Sequence, residues 1–446
     1  MDLKAVLLML HWNQRRWIMR EDFKFETLCL HAGQEPDPST TARGVPVHRT
    51  SSYVFKSTEH AANLFALKEL GNIYTRIMNP TQDVLEQRIA SLEGGAAALA
   101  LSSGTSAIYY SIINICAAGD EIVSANNLYG GTYTMFDCIL PQFGIRARFA
   151  DPRDPKEIET AITEKTRAIF VETIGNPHLE FTDISAVSEV AQKHHLPLIV
   201  DATFTTPYLL KCMDYGADIV VNSLTKWMGG HGTALGGVVI DSGNFNWKNP
   251  KFKLYNKPDP SYHDIRYAHD LGDLNPLAFI MRMRLVPLRN LGACISPDNA
   301  WMFLQGLETL PLRMQRHCEN AMSVARFLKS HSKVAWVRYP GLEDDPTFPV
   351  AKKYLENGFG GMVVFGIEGG LKAGSTFVDN LDLFSHLANV GDAKSLVIHP
   401  SSTTHSQLSE EQQRAGGLTS DLVRLSIGLE HIDDIVNDLE QAFAKV

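Results

Sequence analysis

Val221-Asn222-Ser223-Leu224-Thr225-Lys226-Trp227-Met228-Gly229-Gly230, with Leu198-Ile199-Val200-Asp201 one βαβ unit before it, decides the reading of this chain. Each segment follows or ends a short apolar run of β type. Asp201 and Lys226 are therefore expected at the carboxyl ends of neighbouring strands, where open α/β sheets bind ligands. A lysine beside two small hydroxyls, with an aspartate on the adjacent strand, meets the needs of pyridoxal phosphate (PLP). The amine closes a Schiff base, the carboxylate keeps the pyridine nitrogen protonated, and Ser223 and Thr225 can bond the phosphate. On these residues alone, a capped helix start with a solvated lysine and an ordinary strand-end aspartate fits equally well.

Around this stretch the pattern alternates. β-type runs at 97–101, 121–124, 145–149, 168–171, 198–200, 219–221 and 237–240 are separated mostly by helical stretches such as 103–117, 155–164 and 183–195. Strand followed by helix, repeated, predicts a largely parallel sheet covered on both faces, an α/β fold. A polar, Pro- and aromatic-containing segment from Asn244 to His263 interrupts the order, and long helical patterns follow from Pro287 to Leu328. Strand-like pieces at 334–337, 361–365, 396–398 and 422–425 then predict a second, smaller α+β domain. The expected organisation is an N-terminal arm over 19–80, a large domain over 81–330 and a C-terminal domain over 331–446.

With 446 residues, 44% of them hydrophobic and 20% charged, the chain suits a soluble protein with a large domain and a smaller one. A formal net charge of −9 with no basic run argues against a nucleic-acid surface. Cysteines at 29, 116, 138, 212, 294 and 318 form no Cys-x-x-Cys pair and suit a reducing compartment, so a cytoplasmic location is expected. The run Ala5-Val6-Leu7-Leu8-Met9-Leu10 is too short to span a membrane and lacks a cleavage site. Residues 1–18 are read as an upstream extension or a misplaced start, with Met19 opening a more ordinary beginning.

Other segments gain meaning if PLP is bound. Ser102-Ser103-Gly104-Thr105 follows the first strand and opens a helix, whose free N–H groups form a phosphate cup; Ser/Gly helix starts are more often only caps. Tyr129, just past the second strand, could stack on the pyridine or simply pack locally. Arg424 puts one positive charge into an apolar strand. It fits either a substrate carboxylate, bidentately, or an internal ion pair. His399 and His405 match no usual zinc spacing, and no metal site is expected.

Taken together, Tyr74-Thr75-Arg76-Ile77-Met78-Asn79-Pro80-Thr81, Glu172-Thr173-Ile174-Gly175-Asn176-Pro177, Val200-Asp201, Ser223-Leu224-Thr225-Lys226, Gly391-Asp392-Ala393-Lys394-Ser395-Leu396-Val397-Ile398-His399-Pro400 and Val423-Arg424-Leu425-Ser426 resemble the Cys/Met-metabolism family of fold-type I PLP enzymes. The likeness runs from about residue 24 to the C-terminus, in order. It implies the aspartate aminotransferase-like fold, Lys226 as the catalytic lysine, Asp201 on the pyridine nitrogen and Tyr129 on the ring. Gly104, Thr105, Ser223 and Thr225 would hold the phosphate, with Tyr74 and Arg76 reaching over from a neighbouring subunit. Asn176, Ser395 and Arg424 would bind the substrate carboxylate. A homodimer at least, and a homotetramer by pairing of dimers, follows from the same resemblance.

Gly131, where methionine γ-lyases usually carry Cys, and Lys394, where cystathionine enzymes usually carry Glu, favour the sulfhydrylase branch. Members of that branch replace the acetoxy group of O-acetylhomoserine with sulfide to give homocysteine and acetate, a step of methionine biosynthesis. Ala202, Asn222, Leu224 and His48-Arg49 depart from the family's usual residues. They keep open an alternative in which a carbon or amine nucleophile serves specialised metabolism. From a different class, a catalytically dead binding paralogue is disfavoured by the joint retention of Lys226, Asp201, Tyr129 and Arg424.

Overall fold

The structure, a computed structural model, describes residues 23–403 and 419–446. Residues 1–18 and His405 lie outside them. Strands β1 (Ala97–Leu101), β2 (Glu121–Ala125), β3 (Arg146–Ala150), β4 (Thr166–Glu172), β5 (Leu198–Asp201), β6 (Ile219–Ser223) and β7 (Gly237–Asp241) form one sheet in the order β1-β7-β6-β5-β4-β2-β3. β7 runs antiparallel to both its neighbours and the other pairings are parallel. The central strands β4 and β5 are buried along their whole length, as expected of a sheet with helices on both faces.

Local chemistry sets the helices. Helix α1 (Pro80–Glu93) starts with the Asn79 side chain accepting the Thr81 N–H and proline in its first turn, and stops at Gly94, whose φ of 81° is left-handed. Helix α2 (Gly104–Ile115) is capped by Ser103, which accepts the Ser106 N–H. Helix α3 (Ile184–Lys193) buries Ile184, Val187, Val190 and Ala191, a spacing that gives one apolar stripe. The segment read as polar, Asn244–His263, closes on itself as an aromatic nest: the Trp247 and Tyr255 rings stack at 4.3 Å and both are buried.

Helices α4 (Pro297–Glu308) and α5 (Leu310–Ser330) lead to a second sheet. Its strands are β8 (Val334–Arg338), β9 (Met362–Ile367), β10 (Ser385–His386), β11 (Leu396–Ile398) and β12 (Leu422–Ser426), in the order β10-β11-β12-β9-β8. The short edge strand β10 carries no apolar run and has no counterpart in the sequence reading. Helix α6 (Ile432–Phe443) covers one face. Its Phe443 packs on Phe365 of β9 and on Phe377, with ring centroids 5.9 and 4.5 Å away. Among the described residues, no helix is long and apolar enough to cross a membrane.

Phe377 is fully buried in this aromatic cluster. Phe377→Ala should cost about 3–5 kcal/mol of stability through lost burial and the cavity left behind. Urea unfolding followed by circular dichroism checks this; a loss below about 1 kcal/mol would mean that the cluster does not hold the second sheet together.

Candidate active site

The carboxyl ends of β4, β5 and β6 converge. Asp201 closes β5, in register with Glu172 on β4 and Val221 on β6. Both acids are buried. The Thr203 N–H donates to Asp201 Oδ1 at 2.9 Å, and the Thr203 hydroxyl accepts the Ser223 N–H at 2.9 Å. This links the aspartate strand to the lysine strand. Glu172 Oε1 accepts the Tyr129 N–H at 2.8 Å, which fixes the loop after β2 over the same strand ends. Burial pushes Asp201 up to about 6 and, together with the Asp201 charge, raises Glu172 well above the ordinary carboxylate range.

Lys226 follows β6 in a tight turn closed by Gly229 N–H to Leu224 O at 2.9 Å and Gly230 N–H to Lys226 O at 2.7 Å. Its amine is partly buried and donates to Asn389 Oδ1 at 2.5 Å. Burial first, and the Arg424 charge second, lower its pKa to about 8. Arg424, in the middle of β12, donates to Asn176 Oδ1 at 3.2 Å. Burial brings its pKa down to about 10, with the Tyr129 phenol opposing. Among the described residues no carboxylate pairs with Arg424.

The helix α2 N-terminus meets the lysine strand directly. A Cβ on Gly104 would lie 2.6 Å from the Ser223 Cβ, so only glycine allows this approach. Thr105 is exposed at the same helix end, and the Thr225 hydroxyl accepts the Gly236 N–H at 3.1 Å. The Tyr129 ring is half-exposed and lies over Gly131, where a Cβ would come within 2.6 Å of it.

The structure brings together Lys226, Asp201, Ser223, Thr225, Gly104, Thr105, Tyr129, Asn176 and Arg424. Ser395, expected at the substrate carboxylate, is buried; its hydroxyl donates to Glu430 Oε2 at 2.9 Å and accepts the Gly428 N–H at 2.9 Å. Tyr74 and Arg76 lie on the arm in cation–π contact, 5.2 Å from guanidinium carbon to ring centroid. Among the described residues, neither side chain hydrogen-bonds to the Lys226 cluster. Asn389 and Glu172 are the contributors that the sequence reading gave no role. Of the unusual residues, Asn222 is buried with neither amide atom bonded to a protein group, Ala202 and Leu224 fill the core, and Arg49 pairs with Asp298 on the surface.

These features fit PLP. A helix N-terminus and small hydroxyls suit a phosphate. Two adjacent buried carboxyls without a cation suit a protonated ring nitrogen, and a lysine of lowered pKa suits covalent attachment. A family model described as Cys/Met metabolism PLP-dependent enzyme matches residues 26–444. The chain belongs to this family. O-acetyl-L-homoserine sulfhydrylase of Leptospira meyeri is 54% identical over 96% of this chain and 98% of its own length. Homocysteine synthase of Schizosaccharomyces pombe is 49% identical over 95% and 98%. A crystal structure of a putative O-acetylhomoserine (thiol)-lyase from Campylobacter jejuni, holding a pyridoxyl-lysine phosphate, superposes with a TM-score of 0.91 at 42% identity, over 95% of this chain and all of that one. The cofactor of this family member is PLP, and its fold is that of the fold-type I enzymes.

An amine can take a proton only when neutral, so a rate that depends on Lys226 as a base should rise with pH up to about 8 and then level. Arg424→Gln removes a charge that lowers the lysine pKa, so the acid limb of the kcat profile should move to higher pH. Arg424→Lys keeps the charge and leaves the limb in place. It loses the bidentate fork, so amino-acid substrate binding should weaken about ten- to a hundredfold. Profiles of kcat against pH and spectral titrations check both; an unmoved limb in Arg424→Gln would remove the electrostatic link.

Proposed function

We propose that the chain catalyses γ-replacement on O-acetyl-L-homoserine with sulfide, forming L-homocysteine and acetate. The observation that carries the reading is the Lys226 amine, lowered in pKa by burial first and by the nearby Arg424 charge second, with no carboxylate on Arg424 among the described residues. The donor and acceptor follow the sulfhydrylase names of relatives that cover nearly the whole chain.

Arg424, Asn176 and Ser395 bind the substrate α-carboxylate, with Asn389 beside Lys226. Asp201 would hold the pyridine nitrogen, Tyr129 the ring face, and Gly104, Thr105, Ser223 and Thr225 the phosphate. Bound PLP supplies the electron sink that lets protons leave the α- and β-carbons and acetate leave the γ-carbon. Lys226 Nζ takes the α-proton and moves the β-proton. Its lowered pKa keeps a neutral amine available near pH 8. Glu172, held protonated, keeps the Tyr129 loop in place without adding a second negative charge beside Asp201.

Tyr74 and Arg76, apart from the Lys226 cluster, reach the phosphate of a neighbouring subunit, so the active unit is a homodimer at least, with a homotetramer as its pairing. All six cysteines are free, which fits a cytoplasmic enzyme.

Purified protein supplied with O-acetylhomoserine and sulfide should release homocysteine and acetate in equal amounts, and Lys226→Ala should abolish turnover and the visible cofactor band while keeping the fold. Mixed with Arg76→Ala subunits, Lys226→Ala subunits should regain part of the activity, because one site per hybrid has both residues. If subunit exchange is shown and activity stays absent, each site is built from one subunit. Consumption of O-acetylhomoserine only with amine or carbon nucleophiles would replace sulfide as the acceptor.

A further inference from the structure

Along one face of α5, Arg313, His317 and Asn320 stand at i, i+4 and i+7, in a single stripe. All three are buried, and each binds backbone carbonyls rather than an acid. Arg313 donates from Nη1 to Trp227 O at 2.7 Å, and from Nη2 to Met228 O at 3.1 Å and Gly306 O at 2.7 Å. His317 Nδ1 bonds Ile427 O at 2.7 Å. Asn320 Nδ2 donates to the carbonyls of Gly428 and Glu430 at 3.0 Å each. Trp227 and Met228 directly follow Lys226. Ile427 to Glu430 directly follow β12, which carries Arg424. One helix therefore grips the chain just after the lysine and just after the arginine.

The joint has little slack. A Cβ on Gly230 would fall 2.1 Å from Arg313 Nη1, one on Gly306 2.5 Å from Met228 O, and one on Gly361 2.6 Å from the Trp227 ring. The Trp227 ring packs edge-on against His317, centroids 4.8 Å apart. On the opposite side, a Cβ on Gly391 would fall 2.6 Å from the Trp227 nitrogen. Burial holds His317 neutral, its pKa lowered to about 4. Burying a guanidinium and an imidazole costs more than filling the same space with apolar side chains. Their geometry needs a reason beyond packing.

We propose that Arg313, His317 and Asn320 are positioning residues forming a strut that sets the spacing between Lys226 and Arg424. A substrate held by its carboxylate at Arg424 then presents its α-carbon within reach of the lysine amine. The proposal rests on the γ-replacement reading above. A spacing error of about 1 Å far from the reacting atoms can cost on the order of a hundredfold in rate.

The test compares wild-type holoenzyme with Arg313→Lys, Asn320→Ala and the double variant, all at a temperature where circular dichroism shows them folded. Asn320→Ala should keep the cofactor band but raise the KM for O-acetylhomoserine about tenfold, because the Arg424 end is released. Arg313→Lys should lower kcat about tenfold or more and shift the pH dependence of the band, with KM within about twofold. The double variant should fall short of the product of the two effects, since freeing either end already frees the spacing. Folded variants that lose only melting temperature, with kcat, KM and band pH unchanged, would overturn the strut. So would strictly multiplicative effects. If Asn320→Ala does not fold, Asn320→Ser takes its place, and failure of both assigns the residue to stability and overturns the proposal. Wild-type enzyme inert towards O-acetylhomoserine would sink the function itself; active wild type with unaltered variants sinks the strut alone.

Discussion

Two carboxyls, Asp201 and Glu172, stand side by side at the ends of adjacent buried strands with no cation of the protein between them. Like charges this close cannot both ionise in a desolvated site, so the pair holds a proton and favours any cation that arrives at its mouth. That constraint organises what surrounds it. Thr203 ties Asp201 to the lysine strand, and Glu172 ties the strand end to Tyr129. Lys226 and Arg424 are both lowered in pKa by burial first, with the Arg424 charge adding to the lowering of Lys226, and neither pairs with these acids among the described residues. Pairing the lysine with an acid would instead raise its affinity for a proton.

The second requirement is close approach. Gly104 against Ser223, Gly237 against the Ser103 carbonyl and Gly391 against the lysine turn are places where any Cβ would fall inside 3 Å of its neighbour. The cup for a phosphate and the turn that aims the lysine are therefore made by backbone, and side chains only line them. This explains why Asn222 and Leu224 can differ from the family's usual residues: they point into the sheet interior, away from the cup. Asn222 pays for its departure with two amide atoms that no protein group satisfies.

The large sheet was legible because its strands are apolar, β-rich runs bounded by Gly, Pro and polar turns, and each strand foreseen there is present within a residue or two. Asp201 and Lys226 were legible for the same reason, as charges terminating apolar runs. Asn389 was not: a polar residue in a loop is unremarkable in sequence, and only the packing of the second sheet brings it to Lys226. The hydrogen bond from the Ser395 hydroxyl to Glu430 is likewise one that no local pattern reports. Arg313 reads as the polar side of an amphipathic helix, yet it is buried against Gly230, where any Cβ would meet its guanidinium.

Arg424 shows how structure resolves what pattern leaves open. From sequence, a charge in an apolar strand meant either a ligand site or an ion pair. The only polar group that the described residues offer its guanidinium is the Asn176 amide oxygen at 3.2 Å, a neutral acceptor using one of five donors. A buried guanidinium left that underused is costly unless an anion completes it. The same residue adds its charge to burial in lowering the lysine pKa, so the strand that carries Arg424 and the turn that carries Lys226 are electrostatically linked.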